Sequence, residues 1–260
     1  MSAEHPAWVS LSTSARRTVA VPGAMAVSAF FYVLVTWVVA GVWEAAAEGT
    51  GTLAGYTAAA LVWYIAASEG VTIPLNSRLI SELGGAITDG TVATELLRPV
   101  SVVWQRVAVE IGRVLPRLAM CAGIGLVLAT VLAGAPPSPA ALALAAPSMV
   151  LAVAVNIVAQ HAFSAAAFWL RETGATWFLY QKLVFLTGGM LIPLEVLPGW
   201  LRAVALATPF PSMAYAPARL ASGHVEPGLL LMQVGWLCVL SIVCALMFAR
   251  GERHLEVSGG

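Results

Sequence analysis

Few residues of this 260-residue chain are of types that do chemistry, and their spacing decides what chemistry is open to them. Asn156 and Gln160 stand four apart, which puts two amides on one face of a helix, with His161 beside them. Ser28, Tyr32 and Thr36 form a second stripe at the same spacing, and Tyr180-Gln181 add a third polar pair. Glu69 is the one acid well inside an apolar run. Such groups bind by hydrogen bonds and charge; they do not make up a reaction centre. His5, His161, His224 and His254 are scattered, and HExxH and GxSxG are absent. The only lysine, Lys182, lies in Tyr180-Gln181-Lys182-Leu183 and not in the Gly-Lys-Ser/Thr of a phosphate-cradling loop, so no nucleotide is bound by that route. Cys121, Cys238 and Cys244 have neither CxxC nor metal spacing and read as small packing residues. The sequence predicts no enzyme.

A second group of candidates lies between apolar runs, in the stretch from Asn76 to Arg117. Leu79, Ile80, Leu83 and Ile87 recur at helical spacing, with Ser81, Glu82 and Asp89 between them. Gly84-Gly85 and Asp89-Gly90 punctuate that helix. Glu95-Leu96-Leu97-Arg98-Pro99 follows, and Pro99 marks a boundary because the residue before proline avoids the helical region. Then Val102, Val103, Val107 and Ile111 make an apolar stripe broken by Gln105, Arg106, Glu110 and Arg113. The stretch is longer than a connector needs. It either docks a soluble partner or lies at an interface with its charged face in water.

The elements that position these residues follow from composition. The chain is 60% hydrophobic and 10% charged, with a mean hydropathy of +0.87. Soluble domains carry roughly 25% charged residues, so the polar surface of a water-soluble globule is missing. Thirteen Lys+Arg against thirteen Asp+Glu leave no basic field for nucleic acid. A bilayer span takes about 20 apolar residues. Six segments qualify, at Val19–Trp43, Leu53–Ile73, Leu118–Gly134, Pro147–Leu170, Thr176–Leu194 and Gly228–Ala249. The third is short, and its helix is expected to start before Pro116. With six crossings, Arg16, Arg17, Arg78, Arg98, Arg106, Arg113, Arg117, Arg171, Lys182, Arg250 and Arg253 share one side, and only Arg202 and Arg219 fall on the other. The positive-inside rule then puts both termini in the cytoplasm of a multi-pass plasma-membrane protein.

Residues 1–18 read as an amphipathic segment on the inner interface, or as a frayed tail with a topogenic Arg16-Arg17 pair. Residues 188–226 are too apolar for a solvated loop and too broken for a span, with Pro193, Pro198, Pro209, Pro211 and Pro217 among them. They predict two short helices dipping back into the outer leaflet, since irregular backbone at membrane depth must be satisfied by protein or water.

This order resembles the membrane subunit of an ATP-binding-cassette exporter of the ABC-2 type. The parts are an N-terminal amphipathic helix, two spans, a coupling region, three spans, a re-entrant hairpin and a last span. Two stretches resemble its multidrug and viologen-type branch in particular. One is Ile87-Thr88-Asp89-Gly90 through Glu95-Leu96-Leu97-Arg98-Pro99-Val100-Ser101. The other is Leu197-Pro198-Gly199-Trp200-Leu201-Arg202, with Pro209-Phe210, Tyr215-Ala216-Pro217 and Gly223.

The resemblance implies an all-α integral membrane fold, a single permease domain over residues 1–260. Coupling falls to residues 76–117 and the re-entrant hairpin to 188–226. It implies a cytoplasmic ATPase subunit as partner, a second permease (identical or sister) and the bilayer around them. ATP and magnesium belong on the ATPase, so this chain binds no cofactor. ATPase closure would push on the segment from Leu79 to Asp89, with Glu82, Ile87, Asp89 and Arg98 as coupling positions. Its apolar face would seat in a groove on the ATPase. Arg98 equally suits a helix cap or a headgroup anchor. Glu69, Asn156, Gln160 and Tyr180 are the candidates for a substrate path. A cavity-lining Glu69 would attract cationic amphiphiles; near a span end it would instead pair with an arginine or reach the interface. The polar stripes equally suit hydrogen bonds between helices. A stand-alone ion-coupled carrier or channel is the alternative.

Overall fold

Apolar runs in lipid satisfy their backbone within the segment, as helices, and that is how this chain folds. The computed structural model describes residues 6–47, 51–92, 101–170 and 173–258, which are helical with no strand among them. The helices are α1 (Pro6–Val19), α2 (Pro22–Ala47), α3 (Ala58–Thr72), α4 (Leu79–Thr88), α5 (Val102–Ala133), α6 (Pro139–Ser164), α7 (Ala167–Leu170), α8 (Gly174–Thr187), α9 (Gly199–Leu206), α10 (Tyr215–Ala221) and α11 (Gly228–Ser258). Single 3-10 turns occupy Leu194–Val196 and Phe210–Ser212.

Four stretches are long and apolar enough to cross a membrane: Pro22–Ala46, Val103–Ala133, Pro139–Leu170 and Gly228–Arg253. α5 runs unbroken through Pro116, so the third apolar run and the amphipathic stretch before it form one helix, as expected. α3 and α8 occupy the segments expected for spans two and five but have 15 and 14 residues. At 1.5 Å per residue each is about 22 Å long, short of a hydrocarbon core of about 30 Å.

The short helices are finished by turns instead of further helix. Before α3, Leu53 and Tyr56 exchange two backbone hydrogen bonds of 2.8 and 2.9 Å, and the Thr57 side chain caps the helix by accepting from Ala60 N–H. After α8, Gly189 takes φ +65°, and a Cβ there would come within 3.0 Å of Tyr215 and of the Tyr64 hydroxyl. That close approach lets Tyr64 donate to the Gly189 carbonyl and Ser68 to the Met190 carbonyl, tying α3 to the far end of α8. Every residue of α3 from Ala60 to Val71 is buried, against α2, α5, α6 and α10.

α1 lies along α5, where Gln105 reaches Ser10; this is the helix expected of the N-terminal segment. α10 is buried against α3 and α6, while α9 leaves Trp200 71% exposed. Residues 194–221 are thus the expected pair of short helices, one covered and one open. Gln233 of α11 donates to the Ser148 and Ser212 carbonyls and accepts from the Ser148 hydroxyl, joining α11 to α6 and to the second 3-10 turn.

α4 departs from expectation twice. Gly84-Gly85 do not interrupt it; the helix continues to Thr88, and a Cβ on Gly84 would stand 2.5 Å from Thr173 Cγ2. Gly84 is there for close approach to Thr173, just before α8. The apolar stripe is also not free for a partner. Leu79, Ile80, Leu83 and Ile87 are buried in the chain's own core beside α6 and α8.

Candidate functional site

Where α3 ends, a cavity of about 280 Å³ opens between Thr72, the loop at Leu75–Ser77, α6 and α8. Asn156 and Gln160 face it from α6, as the four-residue spacing requires, and Tyr180, Gln181 and Lys182 face it from α8. Asn156 Oδ1 accepts from the Tyr180 hydroxyl at 2.7 Å and from Gln160 Nε2 at 2.8 Å. Three of the four predicted path residues therefore form one buried linked group. Glu69 is not among the lining residues. It lies one helical turn behind, 4% exposed, with Oε2 accepting from Thr72 at 3.2 Å and Oε1 without a hydrogen-bond partner.

A second cleft of about 280 Å³ lies between α4 and α5. It is lined by Glu82, Gln105, Arg106, Glu110, Arg113 and His161. Glu110 is buried and paired with Arg113 at 3.2 Å. His161 is buried and joins Nδ1 to the Ile157 carbonyl at 2.8 Å, leaving Nε2 without a partner. Gln160 and His161 are adjacent in sequence yet face different spaces, so one turn of α6 is the wall between them.

The predicted coupling residues divide by burial. Glu82 and Asp89 are exposed, with Asp89 the residue that ends α4. Asn76 Nδ2 donates to Glu82 Oε2 at 3.1 Å, while Asn76 Oδ1 accepts from Arg78 N–H. Ile87 is 2% exposed and points into the core. Arg98 lies outside the described residues. Two contacts tie α4 and the loop before it to α8. The Trp177 indole N–H donates to the Ser77 carbonyl at 2.5 Å, and Gly84 packs on Thr173, the residue that starts α8.

At the opposite end, a network absent from the sequence expectations fixes the short-helix pair. Glu195 accepts from the Tyr215 hydroxyl at 2.6 Å, from Arg219 at 2.7 Å and from the Tyr56 hydroxyl at 3.1 Å. Arg219 also donates twice to Glu226, at 2.7 and 3.0 Å. Those bonds, above all, hold the Glu226 carboxyl below its usual range. Burial, and next the Arg219 charge, hold His224 below the usual imidazole range. The available signal was scarcity: few charges occur between Gly188 and Glu226, and buried charges must find one another.

Among the described residues no group of three or more His, Cys, Asp or Glu is arranged to hold a metal ion. What the arrangement offers is recognition and movement: an amide-lined space, and a helix with an acidic outer face tied to its wall. No curated protein matches the chain. Residues 29–259 match the family described as ABC-2 family transporter protein. That match covers nearly the whole chain and agrees with the long apolar helices, so the chain belongs to the ABC-2 transporter family, as a multi-pass membrane permease of an ABC transporter.

Proposed function

We propose that this permease is half of an exporter. It crosses the bilayer six times with both termini in the cytoplasm, and α3 and α8 are the short second and fifth spans. A separate cytoplasmic ATPase binds ATP and magnesium, and an identical or sister permease completes the path. Hydrophobic or amphiphilic cargo enters from the cytoplasm or inner leaflet and contacts Asn156, Gln160 and Tyr180. The observation that carries this reading is the double tie of α4 and the loop before it to Thr173 and Trp177. A push on the outward acidic face, Glu82 and Asp89, displaces α4. Ser77 and Gly84 pass that displacement to Trp177 and Thr173, and α8 carries Tyr180 and Lys182 of the cavity wall. Ile87 serves from the inside, holding α4 to the core so that it moves as a unit. Arg98 remains a coupling position under this reading.

The first test is a mild-detergent pull-down of the tagged chain from its native membrane, read by mass spectrometry. A stoichiometric cassette ATPase is expected. Glu82→Lys with Asp89→Lys should then abolish stimulation of that ATPase while leaving insertion intact, because like charge now faces the basic rim an acidic face would meet. Recovery of the chain alone refutes the exporter reading. One observation favours a stand-alone ion-coupled carrier: Glu69 is a buried acid with an unpartnered oxygen in a helix buried from Ala60 to Val71. Transport driven by an ion gradient without ATP, and lost in Glu69→Gln, would select it.

A further inference from the structure

Given the transport role proposed above, the cavity's walls determine a class of cargo. Several of its acceptors are engaged, and the side-chain oxygens of Gln160 and Gln181 are the ones left open. Asn156 Oδ1 already takes two donors, which fills both lone pairs of a carbonyl oxygen. The group of Asn156 left to face a ligand is its amide nitrogen, a donor. Asn76 Oδ1 is engaged with Arg78 N–H, and the Ser77 carbonyl with Trp177. No carboxylate is among the lining residues, and Glu69 is held behind Thr72.

The one charged residue in the lining has the opposite sign. Lys182, the chain's only lysine, lines it from an exposed position on α8, its Nζ 5.0 Å from the centre of the Phe178 ring. Among the described residues no acid forms an ion pair with it. The rest of the wall is apolar, with Leu75, Val184, Phe185 and Met190. A cation entering here meets another cation, with no carboxylate and only the neutral amide oxygens of Gln160 and Gln181 to replace its water. An anion meets a cation and donors, and a tail attached to it meets hydrocarbon.

We propose that this cavity takes the headgroup of an anionic amphiphile from the inner leaflet, with Lys182 selecting its charge. This sets aside the reading in which a cavity-lining Glu69 attracts cationic amphiphiles. It also gives the lysine a task beyond reaching the interface: the charge is needed at the cavity, so arginine substitutes for it and glutamine does not.

The experiment is photolabelling of the full chain in phosphatidylcholine nanodiscs. Three probes share one diazirine-bearing C16 tail: a fatty acid, a fatty amine and a neutral monoacylglycerol. The fatty acid is expected to label the peptides carrying Thr72–Ser77 and Trp177–Met190, and excess oleate to compete. Lys182→Gln should lower fatty-acid labelling about tenfold, the ratio that corresponds to about 1.4 kcal/mol of lost attraction. Lys182→Arg should retain it, and monoacylglycerol labelling should be equal in all three proteins, which reports an intact fold. Equal or stronger labelling by the amine overturns the proposal, the more directly if Glu69→Gln removes it. Fatty-acid labelling that is unchanged in Lys182→Gln overturns it as well. No ATPase takes part in this assay. Labelling as expected in a chain that captures no ATPase refutes the exporter reading and leaves the ligand class standing.

Discussion

Gly84 and Gly85 are neighbours in α4 with opposite surroundings, which predicts opposite signs for the same added methyl group. A Cβ on Gly84 would stand 2.5 Å from Thr173 Cγ2, 3.1 Å from Thr173 Cβ and 3.5 Å from Ala167 Cβ; on Gly85 it would meet nothing within 4 Å. Carbon atoms pack at about 3.5–4.0 Å, so Gly84→Ala demands about 1 Å of movement. Both substitutions gain about 0.5–1 kcal/mol from the lower backbone freedom of alanine in a helix. At Gly85 that gain stands alone, and stability rises by about that amount. At Gly84 overpacking costs about 1–3 kcal/mol, so the net effect is a loss centred near 1 kcal/mol. Thr173→Ala removes the offending methyl, and it sacrifices no cap because the Thr173 side chain makes no capping bond to α8. The pair Gly84→Ala/Thr173→Ala should recover most of the loss, with a coupling energy of about 1–2 kcal/mol in the double-mutant cycle. The assay is the thermal unfolding midpoint of the purified permease in one detergent at one scan rate. If Gly84→Ala raises the midpoint as Gly85→Ala does, or if Thr173→Ala fails to rescue it, α4 is not packed on the start of α8 and the tie between them is refuted.

Three further outcomes follow from the same geometry. Tyr180→Phe should cost about 0.6 kcal/mol and at most about 1.7, the range for hydrogen bonds between membrane helices; Asn156→Leu, which strands two donors, should cost about twice that, and strict additivity in the double variant would mean the group is not linked. Stability should fall on acidification through His224 and Glu226, as read by unfolding midpoints between pH 4 and 8. His224 and Glu226 both have folded values below their ordinary ones, so the unfolded chain binds more protons and stability is present at high pH. The loss begins below about pH 6.5 with His224 and continues through the carboxylate range with Glu226; Glu226→Gln should remove the lower part, and a profile identical to that of the parent would refute the assignment. A cysteine at Gly199, which is exposed at the start of α9, should react with an impermeant thiol reagent from outside the cell. Labelling only from the cytoplasm overturns the six-span orientation.

The long helices were legible because an uncharged apolar run has one outcome in lipid, and α2, α5, α6 and α11 lie where such runs lie. α3 and α8 came out shorter because hydropathy does not distinguish a helix from an apolar turn. Leu53 and Leu191 count as span residues by composition, while Gly55 before α3 and Gly189 after α8, both at positive φ, lie in the turns that bound those helices. The α4 stripe was legible as a stripe. Its destination was not, since an apolar face suits the chain's own core as well as a partner. Gly84 was misjudged for a related reason: sequence shows a missing side chain but not the Thr173 methyl that fills the space. In the site, Asn156 and Gln160 share a face by spacing alone, yet the Tyr180 contact spans 24 residues and leaves no local trace. The Glu195 network is further still from any local signal, since its bond from Tyr56 spans 139 residues.

The burial of α3 from Ala60 to Val71 has a consequence for biosynthesis. Its flanking helix α2 is made just before it, but α5, α6 and α10 are made afterwards. Tyr64 finds its acceptor 125 residues later, Ser68 finds its own 122 residues later, and Tyr56 meets Arg219 only after 163 more residues have been added. A helix of about 22 Å with a glutamate in its last turn is a poor tenant of bare lipid. As the nascent chain emerges, α3 has α2 alone to settle against, and the helices that bury its other faces follow. It enters its slot only once Gly189 and Arg219 have been synthesised. The second apolar segment to leave the ribosome is thus among the last to complete its contacts, and a chain truncated before residue 189 leaves Tyr64 and Ser68 without their acceptors.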